Sequence, residues 1–239
     1  MNIVITGATS GIGQQLALDY AEQGHRVIAC GRNQETLQQL TQKYPDRIGS
    51  LAFDIADKAQ TLAKLRTLTG IDLVILSAGV CEYLDVENFD AAMFERVYQV
   101  NIFGTMYCVQ ALLPNLKRGS HLVLVGSTAR LLPFTKAEVY GSSKAAIHYI
   151  TRSLEVDLGQ RGIKVSSVSP GFVKTPMTAA NDFEMPMEVS VEFASSAIRK
   201  GIAKGKRDIA FPWVFATLLK CLSLMPQSWQ VAISRRMAS

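Results

Sequence analysis

The sequence predicts a three-layer α/β/α fold, one doubly wound parallel sheet of about seven strands with helices on both faces. Three observations carry this. Short β-branched or apolar runs alternate with longer segments of helical period, as β-α-β units require. Several runs are apolar at every position, which suits strands covered on both faces. A glycine-rich turn, Gly7 to Gly13, joins the first run to the first helical segment.

Taken in order, the strands are expected at Asn2–Ile5, Arg26–Cys30, Gly49–Phe53, Leu73–Leu76, His121–Val125 and Lys164–Val168, with a weaker one at Asp208–Phe211. Helices fit between them at about Gly11–Gln23, Gln34–Tyr44, Lys58–Leu68, Ala91–Leu113, Val139–Gln160 and Val189–Ala203. No Pro/Ser-rich linker, low-complexity stretch or fixed-period repeat divides the series. The expectation is a single domain, 1–239, in which about 177–239 form a substrate loop and a C-terminal extension.

Composition narrows the function. With 48% hydrophobic and 19% charged residues the chain is neither disordered nor fibrous. Its net charge of +5 comes from Lys and Arg scattered along the sequence; the densest groups, Lys204 to Arg207 and Arg235-Arg236, are short. A nucleic-acid role, which needs a clustered basic face, is therefore not expected. The cysteines, Cys30, Cys81, Cys108 and Cys221, have no paired spacing, and His25, His121 and His148 lie far apart, so neither a disulfide framework nor a metal site is expected. The apolar strand pattern starts right after Met1, with no signal-peptide layout, and no uncharged apolar run approaches the roughly 20 residues that span a bilayer. The expected location is cytoplasmic.

The glycines of Thr6-Gly7-Ala8-Thr9-Ser10-Gly11-Ile12-Gly13 allow a tight turn and close approach of a pyrophosphate, and the following helix offers free N–H groups and its positive end to the anion. At the end of the second strand an acidic residue would mark NAD. The sequence instead reads Cys30-Gly31-Arg32-Asn33: no carboxylate repels a 2′-phosphate, and Arg32 offers a forked cation to hold one. NADP is expected over NAD, with a solvated Arg32 as the alternative.

The second constellation is Tyr140-Gly141-Ser142-Ser143-Lys144. A phenol titrates near about 10 and needs a nearby cation to loosen its proton. At i and i+4 the two side chains share a helix face, so the tyrosine oxygen and the ammonium can converge on one substrate position. Ser127 follows the fifth strand at the carboxyl edge, where open α/β sheets place ligands. A serine hydrolase is rejected, because Val125-Gly126-Ser127-Thr128-Ala129 is not G-x-S-x-G.

The glycine turn combined with Tyr140-x-x-x-Lys144 resembles the short-chain dehydrogenase/reductase family, in its single-domain, NADP-preferring branch with a Rossmann-like fold. Other marks follow in order over residues 1–180: Asp54-Ile55, Ser77-Ala78-Gly79, Asn101, Ser127, and Pro170-Gly171 with Val173 and Thr175. The resemblance implies cofactor contacts from Gly7, Thr9, Ser10, Gly11, Ile12, Gly13, Arg32, Asp54, Ile55, Ser77, Ala78, Gly79, Asn101, Tyr140, Lys144, Pro170, Gly171, Val173 and Thr175. It implies that Tyr140 is the proton-transfer acid or base, that Ser127 polarises the carbonyl, that Asn101 serves a proton relay through water and Lys144, and that Lys144 holds the nicotinamide ribose. Ser77 departs from the family's usual Asn, so a hydrogen bond that steadies the central sheet is expected to change. Homodimers or homotetramers built on the helices at Ala91–Leu113 and Val139–Gln160 are also implied.

The implied activity is NADP(H)-dependent interconversion of a carbonyl and an alcohol. The rival from another class is an NADP(H)-binding sensor or scaffold, whose expected mark is loss of Tyr140, Lys144 or Ser127; all three are present. Cys81–Leu84, Ala129–Phe134 and Phe172–Met187 are rich in Leu, Phe, Met and Pro, which suits either a hydrophobic substrate or simple loop packing. The greasy tail from Trp213 onward is read as a docked helix or lid, an oligomer contact, or an interfacial helix in peripheral membrane contact.

Overall fold

In the computed structural model, which describes residues 1–181 and 183–237, seven strands form one parallel sheet in the order β3-β2-β1-β4-β5-β6-β7. The strands are β1 Asn2–Thr6, β2 Arg26–Gly31, β3 Ile48–Ala52, β4 Ile71–Leu76, β5 Leu116–Val125, β6 Lys164–Pro170 and β7 Asp208–Phe211. The helices are α1 Gly11–Glu22, α2 Gln34–Lys43, α3 Lys58–Leu65, α4 Ala92–Tyr98, α5 Thr105–Leu112, α6 Glu138–Gly159, α7 Val191–Ala203, α8 Trp213–Ser223 and α9 Gln227–Met237. Asp182, inside the expected substrate segment, and Ala238 and Ser239, at the end of the extension, lie outside the described residues.

The apolar run of β1 shows why its strand needs no polar positions. Ile3 and Ile5 enter a core with Leu16, Tyr20 and Ile198, whereas the intervening Val4 joins Val74, Leu76, Leu112 and Ile147 on the opposite face. In register, Val4 lies between Ile28 of β2 and Val74 of β4. The winding reverses between β1 and β4, which opens a crevice at their carboxyl ends.

Three expectations are corrected. The fifth strand begins at Leu116, not His121; its polar start, Lys117 to Ser120, hid it, and there Ser120 donates to the Ile71 carbonyl at 2.8 Å. The long helix expected at Ala91–Leu113 is broken by a π-helical turn, Gln99–Gly104, which separates α4 from α5. The tail, read as a docked helix or lid, an oligomer contact or an interfacial helix but without bounds, folds as two helices, α8 and α9. Among the described residues no helix is long and apolar enough to cross a membrane.

Candidate active site

The nucleotide half of the crevice starts where β1 enters the glycine turn. Gly7 has φ +68°, and a Cβ there would meet the Ala78 backbone at 2.8 Å, so the turn can lie this close to the end of β4 only without a side chain. A Cβ on Gly13 would run into the Gly7 carbonyl oxygen. Ser10 precedes α1 in extended conformation, and its hydroxyl caps none of the first-turn amides, which remain available to an anion. Thr175 packs its methyl against Gly11, and Val173 bridges to Val189, so the segment after β6 closes over the same turn. A bare glycine cradle beside uncapped amides fits the pyrophosphate of a dinucleotide.

Toward the far side, Thr9 packs its side chain against Gly31 at the end of β2. Arg32 is exposed, with Nη1 3.6 Å from the Asp54 carboxylate. Ile55 is buried, and its carbonyl abuts Gly104 of the π turn. At Ser77 it is the backbone that ties the strands. The Thr6 hydroxyl oxygen accepts from both the Ser77 and Ala78 amides, at 3.2 and 3.3 Å, and so ties β1 to the end of β4.

The other half hangs from β4, β5 and α6. Asn101 sits in the π turn, 1% exposed; its Oδ1 accepts from the Val80 amide at 2.8 Å, and its Nδ2 donates to the Val80 carbonyl and to Ser143 Oγ, both at 3.0 Å. This clamp sets the loop after β4, where Gly79 leaves room for Asn101 Oδ1 and Lys144 Nζ. Lys144 is 6% exposed and donates to the Val125 carbonyl at 3.1 Å. Its Nζ lies 5.6 Å from the centroid of the Tyr140 ring. Tyr140 is half-buried and hydrogen-bonds Ser127, whose Oγ also accepts from the Ala129 amide at 3.1 Å.

Burial governs both ionisations. It pushes Lys144 from 10.5 down to about 8, against a smaller upward pull from Cys81 in its thiolate form. It pushes the Tyr140 phenol above its ordinary value, with Cys81 adding to the rise and the Ser127 hydrogen bond opposing it.

Residues 1–185 match the family model for short chain dehydrogenases. The chain belongs to that family. An uncharacterised oxidoreductase of Myxococcus xanthus is 33% identical over 244 residues, covering 98% of this chain and 96% of its own. The closed form of a serine dehydrogenase complexed with NADP+ is 25% identical, with TM-score 0.71, over 95% of this chain and 91% of that one. A short chain dehydrogenase from Burkholderia cenocepacia in complex with NADP shares the fold at TM-score 0.86 and 24% identity, over 100% of this chain and 97% of that one.

In this short-chain dehydrogenase the mouth of the crevice holds groups that the sequence pointed to only as greasy loops. Tyr83 donates to Asn181 Oδ1 at 2.8 Å and meets Phe183 edge-on, with centroids 5.7 Å apart. Phe183 then meets Phe172, and Phe172 meets Phe215 of α8, an aromatic row across the mouth. Cys81 is half-buried and couples electrostatically to both Tyr140 and Lys144. Ser143 was missed as a participant: its hydroxyl accepts from Asn101 and donates to the Tyr140 carbonyl at 2.7 Å. Its place one residue before Lys144 was the available signal. Pro170 and Gly171 lie at the end of β6, where the Pro170 carbonyl accepts from Thr128 at 3.1 Å and the Gly171 amide donates to Phe211 at 2.7 Å.

Proposed function

We propose that the protein is an NADP(H)-dependent oxidoreductase that interconverts a hydrophobic ketone or aldehyde with its alcohol, with Tyr140 as general acid and base. The observation that carries this is the meeting of Tyr140, Lys144 and Ser127 at the carboxyl edge of β5, the lysine Nζ 5.6 Å from the phenol ring. A nicotinamide cofactor, when bound, supplies or accepts the hydride.

This chain's residues do the rest. The glycine turn and the first amides of α1 would hold the pyrophosphate, and Arg32, with Asp54 and Ile55 nearby, the adenosine end. The Ser127 hydroxyl donates to the carbonyl oxygen and polarises it. Tyr140, protonated at neutral pH as a phenol is and held more firmly so by burial, gives its proton to that oxygen as charge develops there. Lys144 spends one of its three N–H donors on Val125, which leaves two for the nicotinamide ribose and the tyrosine oxygen. Asn101 holds the loop that borders these groups. The aromatic row of Tyr83, Phe183 and Phe172 favours an apolar substrate.

The test is turnover of NADPH against a panel of hydrophobic carbonyls. Tyr140→Phe is expected to lower kcat by about 10²–10⁴-fold, the usual worth of a positioned proton donor. Equal turnover by the variant would remove Tyr140 from the chemistry, and NADPH binding without turnover on any carbonyl would make the protein a sensor. Arg32→Ala is expected to weaken NADP binding by about tenfold or more while leaving NAD binding little changed, since a charged hydrogen bond is worth about 1.5–3 kcal/mol; titration of both cofactors decides it. We also infer a homo-oligomer, supported by Phe103 in the π turn and by Tyr149 and Val156 on α6, which are 49%, 75% and 70% exposed.

A further inference from the structure

Basic residues are spread along the whole chain, but acidic ones are not. From Lys204 to Ser239 there are six basic side chains, Lys204, Lys206, Arg207, Lys220, Arg235 and Arg236, against one acid, Asp208. This segment therefore carries the entire net charge of +5, and residues 1–203 sum to zero.

The same segment is apolar where it meets solvent. α8 buries Phe215, Ala216 and Leu219, while on its opposite side Trp213, Val214 and Leu218, with Leu224 at its end, are 74%, 44%, 51% and 82% exposed. Only one side of α8 has a core to cover its apolar residues; the other mixes Trp213, Val214 and Leu218 with Thr217 and Lys220, the amphipathic makeup of an interfacial helix. α9 buries only Ser234, whose hydroxyl has no partner, and a groove of about 800 Å³ runs beneath it. Its other side carries Trp229, 62% exposed, in a stripe with Ala232, Ile233 and Arg236.

We propose that α8 and α9 form a docking surface for an anionic phospholipid bilayer. Trp213, Leu218, Leu224 and Trp229 enter the boundary between headgroups and acyl chains, and Lys220 meets the phosphates. Lys204 and Lys206 add charge that draws the protein to the surface from a distance, whereas Arg207 is paired with Glu155 at 2.8 Å. Charge selects lipid over a second copy of the chain: an isologous contact sets the same positive segment against itself, whereas an anionic leaflet neutralises it. Attachment lies in the membrane plane, because neither helix is long and apolar enough to span.

The chain's two tryptophans, Trp213 and Trp229, both sit on this surface, so their emission reports docking directly. The full-length protein is mixed with vesicles of phosphatidylcholine alone, or of phosphatidylcholine with phosphatidylglycerol, and followed by tryptophan emission and co-sedimentation. A blue shift and sedimentation with the anionic vesicles are expected, weakening on the order of tenfold as salt is raised. Lys220→Glu should weaken binding several-fold, and Leu218→Gln with Leu224→Gln should abolish the blue shift; these positions are exposed, and circular dichroism checks that the fold is kept. No shift with either vesicle, or equal binding to neutral and anionic vesicles, overturns the proposal. So does a blue shift without vesicles that tracks a concentration-dependent rise in mass, which would assign the surface to a second copy.

Discussion

Lys144 shows how a proposed catalytic residue burdens the fold that carries it. Its folded pKa of about 8, against 10.5 in the open chain, means that the charged form is held at a cost on the order of 3 kcal/mol. The sign follows from the depressed lysine value: the cost is full below about pH 8 and disappears as the pH rises toward 10.5. Lys144→Met is therefore expected to lose turnover yet gain roughly 2 kcal/mol at pH 7, after about 1 kcal/mol is subtracted for the Val125 hydrogen bond. Urea denaturation should show that gain shrinking between pH 8 and 10. At this scale the i, i+4 spacing of Tyr140 and Lys144 was legible in the sequence, because one helix sets it. The upward push on the Tyr140 phenol was not, since it comes first from burial and then from Cys81, which only the folded chain brings together.

Among the elements, the π turn at Gln99–Gly104 does the most to position the site and was the least legible. Hydrophobic period cannot distinguish a helix with one wider turn from a continuous one. Only the structure shows that the turn brings Asn101 against Val80 and sets Gly104 against the Ile55 carbonyl. Asn101→Ala removes both hydrogen bonds to the Val80 backbone, at a cost of about 2 kcal/mol and roughly 4–8 °C in Tm. Thermal unfolding measures the first effect; a fall in kcat larger than the change in KM would show that the loop bordering Tyr140 has moved. Strand positions were read more reliably, and β7 was found with the same bounds, because short apolar runs between turn residues leave few alternatives.

For the molecule as a whole, parallel winding followed from alternating runs and the glycine turn, whereas the tail's architecture had no such signal. The structure gives the tail a small core of its own, in which Leu132, Phe215 and Leu219 pack apart from the clusters on the two sheet faces. Phe215→Ala should cost about 3 kcal/mol. Hydrogen exchange is expected to speed up across α8 and the aromatic row, with the amides of β1, β4 and β5 unchanged; uniform acceleration would show instead that the tail unfolds together with the sheet. The reversal of winding between β1 and β4 has a longer reach. The groups proposed to choose a coenzyme hang on one flank, from β1 to β3, and those proposed to meet the carbonyl hang on the other, from β4 onward. The choice between coenzymes can therefore change in the loops after β2 and β3 while the loops from β4 onward keep the carbonyl in place.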